Sequence, residues 1–302
     1  MFIIKYKKIF IGISIFLVLA SIVAFFSFGL KIGIDFTGGA KLEVVYSEAR
    51  PEQAVVQTKV DTLSLGSVVV QPTGDTGYII KTRDLTEAEY NTLLSVLAID
   101  GASFEEVGFN SIGPSVGREL TRKAIIAIIL VSLCIILFIA FAFRGVSKPV
   151  SSWRYGFIAI TTLIHDVIIP IGIFVMLSKF FGAEVDTLFI VAVLTILGLS
   201  VSDTIVIFDR VRENLNNEGS GAKHKFSEIV GTSLDQSYAR SIATSTTTLL
   251  VLAALFFFGP ESTKYFALML ATGMFFGTYS SIFVASPLLV LVEEWQNKNR
   301  VS

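Results

Sequence analysis

Asp203 stands inside Thr187–Phe208, an apolar run long enough to cross a bilayer. A carboxylate at that depth costs roughly 2.5 to 3.5 kcal/mol on insertion scales, so such a residue reads as functional by default. The plainer reading is an acid that snorkels, or is kept neutral by a neighbour's hydrogen bond. It lies six residues before Asp209, about 9 Å along a helix. Gly198, Ser200 and Ser202 beside it are small, which lets another helix come close. Arg240 opens a second marked run. Arg240, Thr244 and Thr247 or Thr248 recur at i, i+4 and i+7/8, giving one polar helix face. At a similar depth, Arg240 could pair with Asp203 or snorkel to the interface. A third run holds His165 and Asp166 at mid-span, one turn after Thr161 and Thr162. Pro170, four residues on, removes the amide that would bond the Asp166 carbonyl. This pair reads either as a proton relay or as a bond between neighbouring helices. Gly273, Gly277, Ser281 and Ala285 recur every four residues, a small-xxx-small ladder for close packing.

These residues need membrane helices to hold them. The 302 residues are 53% hydrophobic and only 16% charged, against about 25% charged in soluble domains. Mean hydropathy is +0.71. Six runs are long enough to span: 9–28, 124–143, 155–177, 187–208, 237–258 and 265–292. The first follows Lys5, Lys7 and Lys8 but is too long for a signal-peptide core. With no small-x-small cleavage site before Gly29, it is expected to be an uncleaved anchor. The single Cys134 forbids an intrachain disulfide, and two histidines, His165 and His224, argue against a multi-histidine metal site. There is no G-x-x-x-x-G-K-[ST], and Gly38-Gly39 is too little for a phosphate loop. The sequence therefore does not predict ATP hydrolysis, and the near-neutral net charge of −1 gives no sign of nucleic-acid binding.

Lysine and arginine in short loops set orientation. One side would carry Lys5, Lys7, Lys8, Arg144, Lys148, Arg154, Arg210, Arg212, Lys223, Lys225, Lys298 and Arg300, the other only Lys179 and Lys264. Both termini are thus expected in the cytoplasm. Three parts follow: 1–29, the N-terminus and first helix; 30–120, an exported domain with its hinge; and 121–302, the remaining five helices. In the exported part, strands are expected at 41–46, 67–71, 78–82 and 103–109. Helices are expected at 51–63 and from Asp84 or Thr86 through about Leu97. This β-α-β-β-α-β order is the ferredoxin-like pattern. Gly113, Pro114 and Gly117 then punctuate the entry to the second span and read as a hinge.

Several stretches resemble SecF, a family of protein-export membrane subunits. They are Gly33-Ile-Asp-Phe-Thr-Gly-Gly39, Phe109-Asn-Ser-Ile-Gly-Pro-Ser-Val-Gly117, the segment from His165-Asp166, and Leu199-Ser-Val-Ser-Asp203 through Asn214. Arg240-Ser-Ile-Ala-Thr-Ser245 and Gly277 through Ser286 complete the match, in order, over the whole chain. The family commonly has Asn before the membrane Asp, where this chain has Ser202, and Thr where it has Ser241. A serine hydroxyl is shorter than an asparagine amide, so hydrogen bonding beside Asp203 is expected to differ.

The resemblance implies a multi-pass subunit of the bacterial-type cytoplasmic membrane, of the resistance-nodulation-division type. It would pair with SecD and associate with the SecY, SecE and SecG translocon. It would use the proton gradient, with no other cofactor, to help pull unfolded preprotein across the lipid membrane. Asp203 and Arg240 would serve proton movement. Two other readings of the residues stay open. One is a half-transporter for a small molecule or lipid. The other is a non-transporting scaffold, in which the Gly273–Ala285 ladder matters and the acids do not.

Overall fold

The computed structural model describes residues 2–144, 150–218 and 224–301. Lys148 and Lys223, which enter the orientation argument above, lie outside them. The chain divides into two compact units, Ile32–Ile126 and a second made of the residues up to Lys31 and from Ala127 onward.

Helices α1 (Phe2–Lys5) and α2 (Lys7–Phe28) come first. The small unit follows with α3 (Ile34–Thr37), β1 (Gly39–Tyr46), α4 (Gln53–Asp61), β2 (Val69–Thr73), β3 (Gly77–Thr82), α5 (Glu87–Leu97) and β4 (Phe104–Ile112). Its four strands form one antiparallel sheet in the order β2-β3-β1-β4. Alternation in β1 explains the core. Leu42, Val44 and Tyr46 point to one face and are buried with Val56 and Val60 of α4 and Leu93 and Leu97 of α5. The Tyr46 hydroxyl donates to the Leu97 carbonyl at 2.9 Å. Of the two expected caps for α5, Thr86 is the one used. It closes a capping box with Glu89, which Arg83 also holds.

All four strands shift from the expected bounds, β1 and β3 by an earlier start of two residues and one, and β2 and β4 at both ends. β2 begins two residues later than expected, because Ser64 and Gly66 take left-handed conformations and the turn uses up the residues before it. Side chains of α4 then fix its start: Gln57 accepts from the Val70 amide at 3.2 Å, and Gln53 donates to the Val70 carbonyl at 2.8 Å. β4 runs on to Ile112 because Phe109–Ile112 pairs with Gly39–Leu42.

That pairing depends on glycine. Gly38 and Gly39 have φ of 79° and 143°, and a Cβ on Gly39 would lie 2.6 Å from the Thr82 carbonyl oxygen. A Cβ on Gly117 would lie 2.9 Å from both the Gly38 nitrogen and the Phe36 carbonyl oxygen. Gly113 precedes α6 (Pro114–Ala142), Pro114 is its first residue, and Gly117 lies in its first turn, pressed on that backbone.

The second unit contributes α7 (Ser152–Phe181), α8 (Thr187–Glu218), α9 (Phe226–Phe258), α10 (Lys264–Ser280) and α11 (Ser286–Val301). A π-helical segment, Ser281–Ala285, joins α10 to α11. Among the described residues, six helical stretches are long and apolar enough to cross a membrane: Lys7–Phe28, Pro114–Ala142, Trp153–Phe181, Thr187–Glu218, Phe226–Phe258 and Glu261–Lys298. α7 runs unbroken through Pro170. α2 is apolar all round, and its buried residues are Ser14 and Ser21. Small size explains this: a Cβ on Gly172 would lie 2.3 Å from the Ser21 Cβ, so α2 and α7 meet closely there.

Glu89 makes the α5 terminus sensitive to acid. The Arg83 side chain, then the Thr86 amide and hydroxyl, bring its pKa down from 4.5 to about 2. Its folded pKa is depressed, so its contribution is present above 4.5 and is lost as pH falls through 2. The thermal unfolding midpoint of the small unit within the full chain should fall more between these pH values than in Glu89→Gln. Thr86→Ala should cost about 1 kcal/mol at neutral pH.

Candidate functional site

The polar residues of the membrane unit converge on α10. Its last four residues, Gly277-Thr-Tyr-Ser280, carry the contacts and are followed by Ser281 at the π-helical segment. Gly273 and Gly277 let α8 come close. A Cβ on Gly273 would lie 2.2 Å from Ile196 Cγ1, and one on Gly277 would lie 3.3 Å from Ser200 Cβ. One turn on, the Ser281 and Thr204 hydroxyls are 2.8 Å apart. Residue numbers rise by four on both helices, so α8 and α10 run parallel, and the four-residue ladder is their seam.

Asp166 of α7 is fully buried against this seam. Its Oδ2 accepts hydrogen bonds from the Ser200 hydroxyl of α8 and, at 2.6 Å, from the Ser280 hydroxyl of α10. Its Oδ1 lies 2.7 Å from His165 Nδ1. One side chain thereby joins three helices. Burying a carboxylate costs several kcal/mol unless its lone pairs are satisfied, and here they are. His165 is also buried, and its Nε2 has no partner among the described residues.

Asp203 sits on a neighbouring face of α8 and is half-buried. Its Oδ2 accepts from the Thr278 hydroxyl at 3.1 Å. The Thr278 hydroxyl is in turn hydrogen-bonded to the Ser245 hydroxyl of α9. Thr278 and Ser280, two residues apart on α10, thus connect the two acids. Arg240 is close enough to act on Asp203 electrostatically, but among the described residues Asp203 has no ion pair within 4.0 Å. The direct partner of Asp203 is Thr278.

Arg240, Thr244 and Thr247 do share a face of α9, and that face is exposed. Thr247 and Thr248 donate to carbonyls of their own helix, at Ala243, Thr244 and Thr244 again. The buried face of α9 is instead Ser237, Ser241 and Ser245. Ser202 is exposed and stands apart from the Asp166 seam. Sequence reasoning treated Ser200 only as a small residue and missed Ser245, Thr278 and Ser280. The signal was present in the i, i+4, i+8 spacing of Ser237, Ser241 and Ser245, and in two hydroxyls flanking Tyr279.

The fold and seam define a six-span membrane protein with two carboxylates wired through hydroxyls to one helix. The family model described as "Protein export membrane protein SecD/SecF, C-terminal" matches residues 94–295, and "SecD/SecF GG Motif" matches residues 23–49, which include Gly38-Gly39. The protein translocase subunit SecF of Thermobaculum terrenum is 40% identical over 98% of this chain and 94% of its own. That of Vibrio alginolyticus is 35% identical over 94% and 87%. The crystal structure of SecDF, a translocon-associated membrane protein from Thermus thermophilus, superposes with a TM-score of 0.81. It is 29% identical over 97% of this chain, which spans 38% of SecDF. SecDF in a super-membrane-facing form gives a TM-score of 0.67 at 30% identity, over 99% of this chain and 39% of that one. The chain belongs to the SecF family of protein translocase subunits.

Gly273 is packed tightly in the α8–α10 seam, whereas Gly198 lies on an exposed face of α8. Gly273→Val should cost at least about 1–3 kcal/mol of stability by overpacking Ile196. Gly198→Ala, where a Cβ would meet nothing within 4 Å, should be neutral or slightly stabilising. Thermal unfolding of both variants in detergent checks the pair.

Proposed function

We propose that this chain acts with SecD as the proton-driven subunit that promotes preprotein passage through the SecY–SecE–SecG translocon. The observation that carries the reading is Asp203, a half-buried carboxylate whose one direct donor among the described residues, Thr278, sits on the helix that also bonds Asp166. Proton arrival at Asp203 weakens its hold on Thr278, and α10 passes that change to Ser280 and Asp166. His165 is the second titratable group on the path. One charge crossing 100 mV supplies about 2.3 kcal/mol, enough to bias a two-state element more than tenfold. No cofactor beyond the proton is invoked, and the reading is of a transport subunit without enzymatic chemistry.

The exposed Arg240 face of α9 supports the SecD pairing. A guanidinium facing hydrocarbon is unfavourable, so a second membrane protein covering it accounts for its position. The name of the superposed structure, SecDF, points the same way.

The small unit is read as a ferredoxin-like domain on the exported side, with both termini cytoplasmic and the membrane a bacterial cytoplasmic one. Its element order, its antiparallel β2-β3-β1-β4 sheet and the lysine and arginine bias of the short loops support this. Gly113, Pro114 and Gly117 would pass motion from the membrane helices to it.

In inverted vesicles, Asp203→Asn should reduce preprotein translocation to the level seen without a gradient, while the ATP-driven stage continues. Arg240→Ala should act in the same direction. Intact gradient stimulation in Asp203→Asn would rule out proton transfer through this acid.

A further inference from the structure

A groove of about 620 Å³ lies between α6 and α7, outside the polar seam. Its walls are Ile136, Ile139 and Ala140 of α6 and Gly156, Phe157 and Ile160 of α7. Where the two helices leave off, Arg144 and Trp153 also line it. The walls are fixed in place. Phe143 stacks on Tyr155 with centroids 5.8 Å apart and meets Phe208 at 5.6 Å, which pins the end of α6 to α7 and α8. Gly156 keeps the wall open, because a Cβ there would touch only Ile139, at 3.7 Å.

The mouth has a different chemistry. The Arg144 guanidinium lies 4.0 Å from the centroid of the Phe141 ring, and among the described residues it has no hydrogen bond or ion pair. Arg154 adds a second positive charge, 5.2 Å from the Trp153 ring and 5.9 Å from the Trp295 ring, beside the Gln296 side chain. Trp153 is 66% exposed, as an interfacial anchor would be.

We propose that this groove is a binding site for an anionic phospholipid. One acyl chain lies along the isoleucine walls, and the phosphate accepts hydrogen bonds from Arg144. Apolar lining alone would suit any lipid tail. The unsatisfied guanidinium at the mouth selects the negative headgroup, as basic pockets between membrane helices do. Ala140 and Gly156 are small, but three isoleucines and Phe157 make up most of the walls, which suits a flexible acyl chain better than close packing of a second protein helix.

The full chain, reconstituted in nanodiscs of equal dioleoyl phosphatidylglycerol and dioleoyl phosphatidylcholine and then extracted in mild detergent, provides the test. Native mass spectrometry should find phosphatidylglycerol retained about fivefold over phosphatidylcholine, the preference expected from one basic contact. Arg144→Gln should abolish the preference while some lipid of both kinds remains. Gly156→Leu should lower retention of both. Equal retention of the two lipids by the unaltered chain would overturn the proposal. So would a preference unchanged in Arg144→Gln, or cross-linking of Gly156→Cys to a co-expressed partner protein, which would give the groove to protein. Thermal unfolding of each variant separates lost binding from lost folding.

Discussion

Inside a bilayer no water satisfies a polar group, so every carboxylate and hydroxyl in a membrane helix must find its partner within the protein. Asp166 is where that constraint binds hardest in this chain. It is fully buried, and its oxygens are met by Ser200, Ser280 and His165. The consequence is geometric. α7, α8 and α10 can occupy only arrangements in which both serine hydroxyls reach one oxygen. The small-residue ladder makes that approach possible, and the acid fixes its register.

Seen from Asp166, Asp203 has a different character. It shares α8 with Ser200 and reaches α10 through Thr278, two positions from Ser280. It is half-buried and has fewer donors. A tightly held acid and a loosely held one, both bonded to the same helix, give α10 an anchor and a responsive point. The π-helical segment follows at once, where the backbone bonding of the helix already changes. In the small unit, glycine does the comparable work. Gly38, Gly39 and Gly117 let a strand start and a helix start meet backbone to backbone, which no side chain would allow.

The elements were legible because their signals are local. Apolar runs of about 20 residues mark spans whatever surrounds them. The period-2 alternation of Leu42, Val44 and Tyr46 marks a strand with one buried face. The shifts in β2 and β4 were not legible, since they follow from a left-handed turn at Ser64 and from cross-strand pairing with Gly39–Leu42. At the site, the acids stood out by their cost in hydrocarbon. Their donors did not, because serine and threonine are common in membrane helices and usually bond their own backbone, as Thr247 and Thr248 do here.

The sequence by itself determined that the chain carries six runs long and apolar enough to cross a membrane, that a small α+β unit follows the first, and that Asp166, Asp203 and Arg240 are the residues needing explanation. It also carried the family, because the marked segments occur in order along the whole chain. Only the tertiary structure decided who meets whom. Asp203 takes Thr278 as its donor, Arg240 faces outward, and Asp166 becomes the junction of three helices. The reason is that helical periodicity fixes which residues share a face of one helix. Which face of another helix they meet depends on rotation and depth, set by close approach at Gly172, Gly273 and Gly277.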